Sequence, residues 1–127
     1  MNSTIAFLLL SLCGGLGAVC RFEVDSVVNK HNRLKFPLGT IVVNVTACFL
    51  LGLLTGIVAT HVSPAATAAA VKLILGTGFL GGYSTFSTAS VEGFRQLQMG
   101  HYGYALLHTG GMLVLSLIAG LIGVTIV

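Results

Sequence analysis

The chain has 127 residues, of which 55% are hydrophobic and 7% charged, with a formal net charge of +3. A soluble domain carries about 25% charged residues, so this composition excludes a water-soluble globular protein and points to a membrane-embedded one. The positive charges gather between Arg21 and Lys35, beside an apolar run; that pattern sets orientation in a bilayer and argues against nucleic-acid binding.

The charged side chains Arg21, Glu23, Asp25, Lys30, Arg33, Lys35, Lys72, Glu92 and Arg95 leave uncharged stretches at 1–20, 36–71, 73–91 and 96–127. A span needs about 20 apolar residues. The chain therefore reads as one all-α membrane domain over residues 1–127, with transmembrane helices near 4–21, 38–60, 67–92 and 102–126.

The first helix is not expected to be a cleaved signal. No Lys or Arg lies between Met1 and Leu12, and no small residue precedes Cys13. Cys13, Cys20 and Cys48 are unclustered and read as small core residues rather than metal or redox groups. Arg21 closes this helix, where it either snorkels to the interface or draws anions toward a vestibule.

On the second helix Thr40, Asn44, Cys48, Leu51 and Thr55 share one face. Asn44 is its strongest polar group, serving as an interhelical hydrogen bond or as pore lining. The third helix carries a break. Gly81 and Gly82 are followed by the hydroxyls of Ser84, Thr85, Ser87, Thr88 and Ser90. Glycines accept unusual backbone angles, and hydroxyls satisfy freed backbone groups. The result is either a kink or a set of carbonyls aimed at a cation. Glu92 closes this helix, paired with Arg95 or a helix end. On the fourth helix Tyr104, His108, Met112 and Ser116 form an i+4 stripe, with His108 either packing or lining a pore.

Small-xxx-small pairs at Gly14/Ala18, Gly52/Gly56 and Gly78/Gly82 argue for close helix packing and self-association, since one four-helix unit encloses little. All Lys and Arg residues except Lys72 fall in the first and third loops, which predicts those loops inside and both termini outside.

Three blocks resemble the Fluc family of small fluoride channels. They are Gly14-Gly15-Leu16-Gly17-Ala18-Val19-Cys20-Arg21-Phe22, Pro37-Leu38-Gly39-Thr40-Ile41-Val42-Val43-Asn44 and Gly78-Phe79-Leu80-Gly81-Gly82-Tyr83-Ser84-Thr85-Phe86-Ser87-Thr88. The resemblance implies a passive channel, not an enzyme, in a prokaryote-type plasma membrane. It implies an antiparallel dimer in the lipid bilayer with two fluoride pores. A structural sodium ion would sit at the dimer centre, on main-chain oxygens of Gly81 and Ser84. Arg21, Asn44, Phe86, Thr88, Ser90, His108 and Ser116 would border the anion path. Phe86 would meet the anion by its positive ring edge.

Two positions depart from the pattern. The family's second pore phenylalanine corresponds to Ala89, and Met112 stands where a hydroxyl is expected on the fourth helix. The loop-charge bias also conflicts with a chain that must insert both ways. Either a homodimer tolerates Ala89, or the chain is one subunit of a heterodimer whose paralogue supplies the ring. Two rival readings are weighed. A small multidrug-resistance-type exporter needs a carboxylate in helix 1, and residues 1–20 have none. A non-transporting scaffold subunit leaves the polar stripes unexplained.

Overall fold

A computed structural model describes residues 2–34 and 36–127. Lys35, counted above among the loop positives, and Met1 lie outside the described residues. Four helical spans run up and down: α1 (Ser3–His31), α2 (Leu38–His61), a composite third span (Ala65–Gln98) and α6 (Tyr102–Thr125). The third is built from α3 (Ala65–Val71), a π-helical stretch Lys72–Leu80, α4 (Gly81–Tyr83) and α5 (Ser87–Gln98).

Helix α1 does not stop at Arg21 but continues to His31. Residues 22–31 contain neither Gly nor Pro, so charge ends the apolar stretch without ending the helix. Arg21 therefore sits within the helix rather than at its end. The helix starts on the Asn2 side chain, which accepts from Thr4 N at 3.4 Å, and finishes with Lys30 and His31 in the last turn, where cations suit the dipole. The extra length reaches the start of α2, where Asn29 Oδ1 accepts from Gly39 N at 3.3 Å.

The third span likewise continues past Glu92 to Gln98. Gly100, at φ 74°, ends it. His101 N donates to Gln96 O at 2.9 Å and Gly100 N to Leu97 O at 3.0 Å, the paired bonds that let a left-handed glycine close a helix.

The break lies at Ser84–Phe86, just after the glycine pair rather than at it. Gly81 is helical, at φ −64° and ψ −38°; the backbone turns extended at Ser84, with φ −71° and ψ 161°. The glycines serve contact instead. A Cβ at Gly82 would collide with the Gly14 carbonyl, and one at Gly17 with the Phe79 carbonyl. That seam joins α1 to the third span. A second seam joins α2 to α6, where Cβ atoms at Gly52 and Gly123 would strike the carbonyls of Gly120 and Phe49. The small residues are thus used inside the protomer, between its own helices.

Where the two seams meet, Val43, Ala47 and Tyr83 form a small core with Val24 packed on it. Most other large apolar side chains face outward, as lipid contact requires. The break lies at this core, because α2 passes directly behind it.

Candidate functional site

A helix interrupted in mid-membrane leaves peptide groups without partners, each costly in hydrocarbon. Asn44 on α2 resolves this at Thr85. Its Oδ1 accepts from Thr85 N at 2.8 Å, and its Nδ2 donates to Thr85 O at 2.8 Å. One side-chain amide thus replaces a whole backbone pairing. The same nitrogen lies 3.3 Å from Met112 Sδ on α6. Thr85 then starts the next helix: its hydroxyl oxygen accepts from Thr88 N at 3.2 Å, as an N-cap does. On the near side of the break, Thr46 Oγ1 donates to Val42 O at 2.7 Å, so Tyr83 OH donates to Thr46 Oγ1 at 2.9 Å.

Two cavities flank Thr85. A recess of about 460 Å³ is walled by Asn44, Cys48, Ser84, Phe86, Ala89, Met112 and Ser116, among others, and most of its wall is carbon. A smaller cavity of about 210 Å³ is lined by Arg21, Phe22, Asp25, Thr40, Val43 and Thr88 with Thr85, and is far more polar. Thr40 is 1% exposed, and its hydroxyl meets the hydrogen-bond geometry with no partner among the described residues.

These cavities distribute the residues singled out from sequence. Asn44, Ser84, Phe86, Ser90 and Ser116 border the recess, and Arg21 and Thr88 border the polar cavity. Phe86 projects outward with 87% of its surface exposed. The Ser90 hydroxyl turns back to Phe86 O at 2.9 Å. Ala89 is buried against the recess, so the small side chain leaves part of that space open.

His108 lines neither cavity. It is 0% exposed, with its Nε2 3.5 Å from Glu92 Oε2 and its ring edge-on to Phe36 at 5.5 Å. Glu92 therefore faces His108, not Arg95 or a helix end. Neither ring nitrogen of His108 nor Glu92 Oε2 has a hydrogen-bond partner among the described residues. An i+4 stripe turns by about 40° per step, which swings His108 away from the face that Met112 and Ser116 share. Asn44 makes the interhelical bond that one reading expected of it, and it also walls the recess.

Sequence reasoning missed three partners. Thr85 was one hydroxyl among several, and nothing in the spacing showed that Asn44 would grip its peptide. Asp25 and Thr40 were assigned to a loop and a stripe, and border one cavity because α1 continues past Arg21. The Glu92–His108 pair joins α5 to α6, and a charge just before a predicted helix end was the only hint.

No group of three or more His, Cys, Asp or Glu gathers for a metal among the described residues. The break nevertheless offers cation ligands. In a continuous helix the Gly81 carbonyl would take the N–H of Thr85, which here goes to Asn44. The Ser84 carbonyl would take the N–H of Thr88, which goes to the Thr85 hydroxyl. Both carbonyls lose their helical donors, and Gly81 is exposed on the protomer surface. Main-chain oxygens are hard donors, suited to a hard cation.

A model of the family described as CrcB-like protein, Camphor Resistance, matches residues 8–124. Curated relatives are similar over nearly the whole chain. One named fluoride-specific ion channel FluC 1, from Leifsonia xyli, is 45% identical over 94% of this chain and 84% of its own. Fluoride-specific ion channel FluC 2 of Cutibacterium acnes is 40% identical over 96% of this chain and 97% of its own. Fluoride-specific ion channel FluC of Acidobacterium capsulatum is 37% identical over 94% of each.

Proposed function

The chain belongs to the CrcB-like family, and from that membership we propose that it is a fluoride-selective ion channel through which cytoplasmic fluoride leaves the cell passively. It is a multi-pass protein of the plasma membrane with four spanning helices. The observation that carries the reading is the break at Ser84–Phe86, held in mid-span by Asn44. Irregular backbone at membrane depth is tolerated where it borders protein or a water-filled cavity, and this one borders two cavities. An exporter driven by protons or cations would need a carboxylate along its path beyond Thr85, and the residues that line the recess there include none. A scaffold would not need a held break.

Fluoride binds its water tightly, so a pore must offer donors and must hold the ion loosely enough to release it. Arg21 and Thr88 supply a polar mouth. Beyond Thr85, Ser84 and Ser116 carry hydroxyls into the recess, and Phe86 stands at its rim with a positive ring edge. His108 supports this path from behind through Glu92. HF crosses a bilayer uncharged and dissociates in the cytoplasm, and the trapped anion then leaves through the channel.

The functional unit is an antiparallel dimer. A protomer that leaves Phe86 and Gly81 on its outer surface has an unfinished path and an unpartnered break. At a dimer axis the Gly81 and Ser84 carbonyls of both chains would hold a sodium ion, whose positive charge would offset the dipoles of those carbonyls. The partner is a paralogous chain of reversed loop charge: Ala89 leaves a ring missing, and the positive charges favour one orientation. Purified chain reconstituted alone and together with such a paralogue tests this arrangement by fluoride efflux. Fast efflux through the chain alone contradicts the heterodimer.

A further inference from the structure

A primary amide has two N–H donors and one oxygen. The Asn44 amide can be oriented without ambiguity, because Thr85 N–H can meet only its oxygen and Thr85 C=O only its nitrogen. The atom 3.3 Å from Met112 Sδ is therefore the nitrogen, and its second N–H goes to the thioether. Met112 is 9% exposed and forms part of the recess wall.

Resting on the fluoride-channel reading, we propose that Met112 is a specificity-determining residue that withholds Asn44 from the anion. With one N–H on Thr85 and the other on Met112, the amide has no donor left to turn into the recess. Neighbouring donors are committed too. The Thr85 hydroxyl donates to Thr88 Oγ1 at 3.1 Å, and the Ser90 hydroxyl to Phe86 O. The thioether returns nothing, since sulfur here only accepts, and weakly. The recess keeps the hydroxyls of Ser84, Thr109 and Ser116 but loses the Asn44 amide as a donor to the anion. The side of the channel built on this α2–α6 face conducts slowly because of Met112, independently of the ring missing at Ala89.

Two substitutions separate sulfur from bulk. Met112→Ser withdraws the side chain and adds a hydroxyl; Met112→Leu keeps the volume and removes the acceptor. The full chain is reconstituted in liposomes for fluoride efflux. Asparagine-labelled protein is followed at the Asn44 side-chain amide by nuclear magnetic resonance, with and without sodium fluoride. Met112→Ser is expected to raise efflux about fivefold, with Met112→Leu between it and the parent. Fluoride is expected to shift an Asn44 amide proton in both variants and not in the parent. Equal shifts in parent and Met112→Ser, or equal efflux from the two, overturn the inference. Amide protons that move on substitution while no form passes fluoride, even beside a paralogue, overturn the channel reading instead.

Discussion

Asn44 is the residue on which the architecture turns. Replacing it with leucine strands both peptide groups of Thr85 in a buried setting. At about 1–3 kcal/mol for each unsatisfied group, Asn44→Leu is expected to cost about 2–6 kcal/mol. Denaturation of the detergent-solubilised protein measures that loss. Asn44→Asp keeps the acceptor for Thr85 N–H but sets a second oxygen against Thr85 O, so it too is expected to destabilise the break. Thr85→Val removes the cap on α5 and is expected to cost about 1 kcal/mol, leaving the Asn44 bonds to the Thr85 backbone in place. Asn44 itself was legible in the sequence, as the strongest polar group on a helical stripe. Its partner was not, because the two residues are 41 positions apart and periodicity carries no information about contacts at that range. His108 shows the same limit. Its stripe placed it correctly on α6, and only the packing of α5 shows that it turns to Glu92.

At the scale of elements, the third span shows which signals survive folding. A glycine pair followed by hydroxyls predicted a break, and a break is present. It falls at Ser84–Phe86 because Asn44 and the Thr85 hydroxyl capture N–H groups there, while Gly81 and Gly82 stay helical and Gly82 lets α1 approach. Gly82→Ala would press a methyl group into the Gly14 carbonyl. Forcing a seam of backbone apart typically costs about 1–3 kcal/mol, so this variant is expected to unfold earlier, whereas Gly103→Ala, with open space around it, is expected to change little. Thermal unfolding of the two variants side by side checks this. Helix α1 was read too short for a related reason. Charge marks where the bilayer ends, whereas a helix ends where backbone chemistry stops it, here at Asn32, whose side chain bonds Leu34 N and Phe36 O.

For the whole molecule, the spans were legible from hydropathy alone, since four apolar stretches separated by charge leave few alternatives. What hydropathy cannot carry is how the outer face is partnered. Phe86, Phe94, Leu97 and Tyr102 stand exposed around the break and the end of α5, a surface that the proposed second subunit would cover. The loop-charge bias sets one orientation. In a background with Cys13, Cys20 and Cys48 replaced by alanine, Ser63→Cys in the α2–α3 loop is expected to react with an impermeant thiol reagent from outside intact cells only. Equal labelling from both faces would mean dual insertion and a homodimer.

The central claim is selective, passive fluoride conduction, and the most direct measurement is anion efflux from liposomes loaded with fluoride or chloride. The chain is reconstituted alone and with a paralogue of reversed loop charge. Fluoride efflux is expected in the paired preparation, weak fluoride efflux from the chain alone, and no chloride efflux in either. Chloride efflux as fast as fluoride efflux, or no fluoride efflux from either preparation, would contradict that claim.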